Sequence, residues 1–306
     1  MTIGEHSEMS GKTIHSHWIS SSGREGFSGT VAARFPYWSF TKTVIAICAL
    51  KLVEEGALDL DVPLDGQPYS LRQLLAHTSG LPDYCQLPEY GVAVSAGDPV
   101  WSKDKMLDIA LSRGMLLAPD KGWSYSNIGY MVVGELIEAI TAKTLGQNIY
   151  DMVCKPLGLQ SVELAHTREQ FGSLHWEAAA AYDPRWVYHG CLIGTAEDAT
   201  RLLHCLFTGD VLQPSTLEQM CDAKSLGGAI SGRPWISCGY ALGLMSGAVN
   251  HAGRSIGHSG AGPFSVNAVY HFPDLNDPMT VASFTDGSDE GIAEFEAVKL
   301  ALQHQR

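Results

Sequence analysis

The chain has 306 residues, 45% of them hydrophobic, and a formal charge of −13 from 20 basic and 33 acidic side chains. That length and apolar content suit one enzyme-sized unit of two subdomains, and the acidity argues against nucleic acid and anionic membranes as partners. Seven cysteines show neither a C-x-x-C pair nor metal-ligand spacing, and the longest apolar run, residues 43–50, is too short to span a bilayer and leads into Lys51.

In chain order, residues 1–12 are polar and lack the apolar segment of a secretion signal, so a cytoplasmic protein is expected. His15-Ser16-His17 is the densest histidine pair, but its place near the terminus predicts a loose segment and no metal is expected there. Pro36 closes the next segment. From Phe40 the pattern becomes helical, with Val44, Ile47, Cys48 and Leu52 on one face and Gly56 at the end. Ser39 then stands at the N-terminus of a buried helix, where free backbone N–H groups suit a developing oxyanion. Ser39 and Lys42, three residues apart on a helix, share a face. A serine hydroxyl is a poor nucleophile until a base takes its proton, and a lysine amine serves as that base when its surroundings lower its pKa. The structural alternatives are a capping serine and a solvated lysine. The same spacing recurs at Ser102-Lys103-Asp104-Lys105, in a charged stretch expected to face solvent.

Tyr125-Ser126-Asn127 follows a loop at 118–123 and precedes a helix marked by Ile128, Val132, Leu136 and Ile140. Tyr125 reads either as a packing aromatic or as a proton shuttle, and Asn127 either as a helix cap or as a ligand-orienting amide. Thr195 with Asp198 starts another helix through Leu206, and Pro214 opens a short one. The apolar stretch 240–245 is expected to pair in a sheet. His258-Ser259-Gly260 precedes an alternating strand over 264–272, and Gly257, Gly260 and Gly262 let backbone approach a ligand. A second copy of that motif, His251-Ala252-Gly253, lies in a more turn-like setting. Residues 279–284 read as a strand, and Ile292, Phe295, Val298 and Leu302 as the apolar stripe of a final helix. The glycine-rich pieces lack the Gly-Lys-Ser/Thr ending of a phosphate loop.

The ordered set Ser39-Phe40-Thr41-Lys42, Tyr125-Ser126-Asn127 and His258-Ser259-Gly260 resembles the serine β-lactamase-like superfamily of class C β-lactamases, penicillin-binding proteins, D-aminopeptidases and esterases. Further stretches carry the likeness over roughly residues 35–300: Leu52 to Asp61, Leu74-Leu75-Ala76-His77-Thr78-Ser79-Gly80-Leu81-Pro82, Pro156-Leu157-Gly158-Leu159, and Gly194-Thr195-Ala196-Glu197-Asp198. The resemblance implies an α/β, β-lactamase-like fold with an antiparallel sheet flanked by helices plus a helical subdomain. A discontinuous α/β domain would comprise residues 1–62 and 185–306, a helical domain residues 63–184, with the site in the cleft between them. It implies Ser39 as nucleophile and Lys42 and Tyr125 sharing the proton work, with the base unassigned between them. Asn127 would orient Lys42 and the substrate amide. The N–H groups of Ser39 and Ala261, at the Gly260 edge, would form an oxyanion hole, and His258 would support Tyr125 or a substrate carboxylate. A small-molecule substrate and no cofactor are implied; the oligomeric state is not.

Three features depart from the family pattern. Trp38 stands before the nucleophile, where relatives usually carry a small residue, so a narrowed acyl pocket is expected. The lead-in is short, so the first strands are expected to be reduced or rearranged. His258 replaces the lysine of many β-lactamases, as in D-peptidase-like and esterase-like relatives, which favours a small amide or ester over a β-lactam. A β-lactamase, an acyltransferase and a non-catalytic penicillin-binding sensor remain the alternatives.

Overall fold

The computed structural model describes residues 13–209 and 211–305; the polar stretch 1–12 lies outside them. Its centre is an eight-stranded sheet built from β1 (His15–Ser20), β2 (Glu25–Ser28), β6 (Lys224–Gly227), β7 (Trp235–Tyr240), β8 (Met245–Val249), β9 (Gly253–Ala261), β10 (Ser265–Phe272) and β11 (Met279–Asp286). The spatial order is β2-β1-β11-β10-β9-β8-β7-β6, with every neighbouring pair antiparallel. A second sheet, ordered β3-β5-β4, joins Arg34–Pro36 (β3), Glu163–Ala165 (β4) and Cys191–Thr195 (β5).

The helices are α1 (Thr41–Glu54), α2 (Leu71–Leu75), α3 (Pro88–Ala96), α4 (Lys103–Leu111), α5 (Asn127–Thr141), α6 (Leu145–Ile149), α7 (Lys155–Leu157), α8 (Arg168–Gly172), α9 (Ala196–Thr208), α10 (Pro214–Cys221) and α11 (Glu290–Gln303). Successive residues of a strand point to opposite faces, and both faces of β10 are buried. Val266, Ala268, Tyr270 and Phe272 pack with α11, whereas Val269, with Ala282 and Phe284 of β11, joins the core that includes α1 and α9. Helix α1 is buried nearly all round through Leu50, so it is a core helix and not an amphipathic surface one. No helix among the described residues is long and apolar enough to cross a membrane.

Three expectations change. His15 and His17 are not in a loose segment: β1 is buried throughout and paired on both edges, to β2 and β11. The short lead-in forms these first two strands, of six and four residues. The stretch 240–245 is a turn joining β7 to β8, and the pairing falls on its flanks, Tyr240 opposite Met245. In α11 the buried face is Ala293, Ala297, Val298 and Ala301, while Phe295 is 50% exposed. Small residues on this helix let it sit close to a sheet face already filled by Tyr270 and Phe272, an arrangement that a search for large apolar residues misses.

Candidate active site

Ser39 occupies the middle of a 3₁₀ turn, Trp38–Phe40, that carries the chain from β3 into α1. The Phe40 N–H donates to the Tyr37 carbonyl at 2.9 Å. The α-helix therefore begins at Thr41, and no side chain caps it. Ser39 Oγ is not spent as a cap, which sets that alternative aside. Trp38 adopts φ of 43°, a costly left-handed conformation for a bulky residue. Its indole N–H donates to Ser265 Oγ at 2.9 Å, and its ring packs edge-on against Phe171, Tyr182 and Phe264.

One turn further, Lys42 is 0% exposed. Its Nζ lies 3.3 Å from Ser39 Oγ and 2.9 Å from His189 Nε2. Burial lowers its pKa to about 7, with the Asp83 carboxylate partly opposing the shift. The solvated alternative is thus excluded, and a neutral amine able to accept a proton is populated near neutral pH. The other serine–lysine pair is structural: Ser102 Oγ caps α4 by accepting the Lys105 N–H at 3.2 Å, and Lys103 pairs with Glu135 on the surface.

Tyr125 precedes α5 by two residues and lies near enough to Ser39 for that side chain to temper the rise in its pKa. Burial holds the phenol well above its ordinary pKa, so it stays protonated at neutral pH. The ring of His77 lies 4.2 Å from the Tyr125 ring, and His77 Nδ1 accepts the Ser126 N–H at 3.1 Å, tying the loop after α2 to this motif. Ser126, not Asn127, caps α5, its Oγ accepting the Gly129 N–H at 3.1 Å.

Asn127 does not make the expected contact with Lys42. Its Nδ2 donates to Asp83 Oδ1 at 2.9 Å and to Cys85 Sγ at 3.3 Å. A buried carboxylate such as Asp83 requires donors, and the Asn127 amide is one of them. Asn127 Oδ1 is buried without a partner. The place beside Lys42 is taken by His189, whose Nδ1 is 3.1 Å from the Tyr84 hydroxyl.

His258 lies inside β9 and is 2% exposed. Its Nε2 is 2.9 Å from the Tyr240 hydroxyl, and its Nδ1 bonds the Ser259 carbonyl. Burial first, then the Lys42 charge, lower its pKa to about 3, so the imidazole is neutral. Its ring is 6.4 Å from that of Tyr125. It therefore meets Tyr125 only ring to ring, and both nitrogens are engaged within the protein, contrary to the expected hydrogen bond to Tyr125 or a substrate carboxylate. His251 sits in the exposed turn between β8 and β9, away from the cleft.

The β9 edge reaches the turn that carries Ser39. A Cβ on Gly260 would fall 2.8 Å from the Tyr37 carbonyl oxygen and 2.9 Å from Trp38 Cβ. The Gly262 N–H donates to the Ser265 carbonyl at 3.0 Å, and antiparallel ladders alternate bonded and non-bonded pairs. The Ala261–Val266 pair is accordingly a non-bonded one, and the Ala261 N–H points away from β10. The β8 ladder has ended before this point, its last pair being Met245 opposite Gly257.

A cavity of about 140 Å³ opens here, with Trp38, Ser39, Tyr84, Asn127, Tyr182 and Ala261 on its wall. None of its lining residues is Lys, Arg, Asp or Glu. A larger hollow of about 280 Å³ lies on the other side of His189, bordered by Glu135, Glu138 and Arg185, and Ser39, Lys42 and Tyr125 are not on its wall. Among the described residues, no three His, Cys, Asp or Glu side chains gather as a metal site. Sequence reasoning missed His189, Asp83, Tyr84 and Tyr240. The sole available signal was position: His189 lies just ahead of the Gly194-Thr195-Ala196-Glu197-Asp198 stretch, and Asp83 and Tyr84 directly follow the His77 signature.

The family model described as Beta-lactamase matches residues 10–303. Penicillin-binding protein 4* of Bacillus subtilis (strain 168) is 28% identical over 148 residues, 44% of this chain and 31% of that protein. Esterase EstB of Burkholderia gladioli is 32% identical over 143 residues, 40% of this chain and 36% of that protein. The matched region thus spans about a third of the length of these curated relatives. Among solved structures, the D-amino acid amidase of Ochrobactrum anthropi SV3 complexed with L-phenylalanine aligns with a TM-score of 0.79 at 20% identity, covering 97% of this chain and 96% of that one. The D-stereospecific amidohydrolase of Streptomyces sp. gives 0.73 at 21% identity, covering 95% and 93%. At that identity the two structures speak for the fold.

Proposed function

The chain belongs to the beta-lactamase family, and on that premise we propose that it is a serine hydrolase that passes through an acyl-enzyme on a small, neutral amide or ester. The observation that carries this reading is the convergence on the Ser39 hydroxyl of a buried amine of lowered pKa and a phenol. Ser39 Oγ attacks the carbonyl carbon while Lys42, as the neutral amine, takes the hydroxyl proton. Tyr125 cannot be the ground-state base, because its phenol holds its proton; it passes a proton to the departing amine or alkoxide and is restored from Lys42. Water then attacks the ester by the reverse route and releases the acid and free Ser39. The Ser39 and Ala261 N–H groups receive the oxyanion, each such donor contributing roughly 10²–10³ in rate. Asn127 Oδ1, buried and unpaired, is free to accept a substrate amide N–H.

The substrate class follows from the wall. A volume of about 140 Å³ accommodates one group of about phenyl-ring size, and a lining without cations offers nothing to a carboxylate. A cytoplasmic setting fits the seven free cysteines, which a reducing compartment keeps as thiols. The test is intact-mass analysis after a fluorophosphonate, followed by a panel of p-nitrophenyl butyrate, D-amino-acid amides, a p-nitrophenyl hemisuccinate and penicillin. A single Ser39 adduct with preference for neutral esters or amides is expected. Rapid penicillin or hemisuccinate turnover would overturn the substrate class, and absence of any Ser39 adduct would overturn the mechanism.

A further inference from the structure

We propose that His189 is the positioning residue that turns the Lys42 amine toward Ser39, in the place that Asn127 leaves vacant; this rests on the acyl-enzyme reading above. A lysine amine is a compact group on a flexible four-carbon stem, free to rotate its donors. To act as base it must direct its lone pair at the Ser39 hydroxyl and satisfy its own N–H groups elsewhere. The polar neighbours within hydrogen-bond distance of Lys42 Nζ are Ser39 Oγ at 3.3 Å and His189 Nε2 at 2.9 Å. The faces of Tyr125 and Tyr130, at 5.0 and 5.7 Å, close the remaining sides. Among the described residues, His189 is therefore the one strong anchor for an amine N–H.

The anchor also has to serve after the proton has moved. Lys42 is then an ammonium, which only donates, so His189 Nε2 must accept and Nδ1 must carry the imidazole proton. Tyr84 stands 3.1 Å from Nδ1 with a hydroxyl able to take that hydrogen bond. His189 is 4% exposed, and burial followed by the Lys42 charge holds its pKa well below 6.5. It remains a neutral acceptor and neither captures the proton nor opposes the ammonium with a charge of its own. Among the other titratable groups facing Lys42, the Asp83 carboxylate favours its charged form, while Cys85 and Cys191, pushed up to about 12 by burial, and Tyr125, Tyr130, His77 and His258 stay neutral.

The experiment measures kcat and KM for p-nitrophenyl butyrate between pH 5 and 10 on the native chain and on His189→Ala, His189→Gln and Tyr84→Phe, with thermal unfolding to verify folding. His189→Ala should lower kcat by about 30- to 100-fold and move the acid limb of kcat/KM to lower pH, because the ammonium loses its acceptor. His189→Gln, whose amide oxygen replaces Nε2 as acceptor, should restore the limb and most of kcat. Tyr84→Phe should fall between them. A purely structural role would lower kcat without moving the limb. A His189→Ala profile matching the native one, or a folded His189→Gln no better than His189→Ala, overturns the proposal. Fluorophosphonate labelling of Ser39 separates the two claims: a native chain that neither labels nor hydrolyses the ester overturns the acyl-enzyme reading and this proposal with it. A native chain that does both, matched by His189→Ala, overturns this proposal alone.

Discussion

In the proposed mechanism, burial divides the proton work between two side chains that short-range sequence could not rank. The Lys42 amine is brought to about 7 while the Tyr125 phenol is pushed further from neutrality. Below pH 7 Lys42 is an ammonium and cannot accept the Ser39 proton, so kcat/KM of the free enzyme should rise through a single limb near pH 7 and then level off. A profile flat from pH 5 to 8 would show that Lys42 is not the base. Ser39→Ala should abolish both adduct and turnover while leaving the unfolding free energy within about 0.5 kcal/mol of native, as expected for a change that leaves the packing intact. Ser102→Ala is its control. It removes a cap worth about 1 kcal/mol and should leave activity untouched, because Ser102 Oγ serves the Lys105 N–H. Equal loss of turnover in the two variants would refute the choice of nucleophile.

At the scale of elements, the site is a meeting of the turn before α1 with the end of β9. Gly260 allows that meeting. Gly260→Ala would place a Cβ 2.8 Å from a backbone oxygen and 2.9 Å from Trp38 Cβ, forcing β9 and the nucleophile turn apart. A loss of roughly 1–3 kcal/mol from overpacking, and about 100-fold in kcat from displacing the oxyanion donor, should follow in urea titration and ester kinetics. Gly228→Ala, whose nearest neighbour outside the adjacent chain is 3.8 Å away, should change neither. The same geometry explains what was legible beforehand. Ser39 and Lys42 lie on one turn, and Tyr125 lies at the mouth of a periodic helix, so local pattern exposed them. His189 meets Lys42 across 147 residues and Tyr84 across 105, from a segment with no periodicity. Asn127 looked like a partner for Lys42 because spacing does not reveal that a buried Asp83 would take its amide. His258 stood out as a motif, but its engagement by Tyr240 and the Ser259 carbonyl required the sheet register.

Across the whole molecule, stability and the proposed chemistry pull in opposite directions. One anchor works for both: Glu294 of α11, 1% exposed, accepts from Arg233, from Trp235 Nε1 at 3.1 Å and from Ser259 Oγ at 2.5 Å, fastening the last helix to β9 beside His258. Lys42 works against the fold. In the unfolded chain its amine titrates at 10.5, and in the folded one at about 7. Between those values the unfolded chain binds a proton that the folded one does not. The folded state is therefore penalised increasingly as pH falls from 10.5 to 7, and by a constant amount below that. A shift of this size corresponds to an upper bound of roughly 5 kcal/mol, offset in a lysine-free variant by about 1–3 kcal/mol for leaving the His189 acceptor unpaired. Lys42→Met should accordingly be inactive yet more stable at pH 7, with Tm raised by at most about 4–16 °C at the 2–4 °C per kcal/mol of a large domain. The gap should narrow as pH approaches 10, where the folded amine is neutral and the unfolded one has begun to lose its proton. A Lys42→Met variant less stable than native at pH 7, or a gap that stays the same between pH 7 and 10, would show that the amine is not held in the low-dielectric setting from which its basicity is argued.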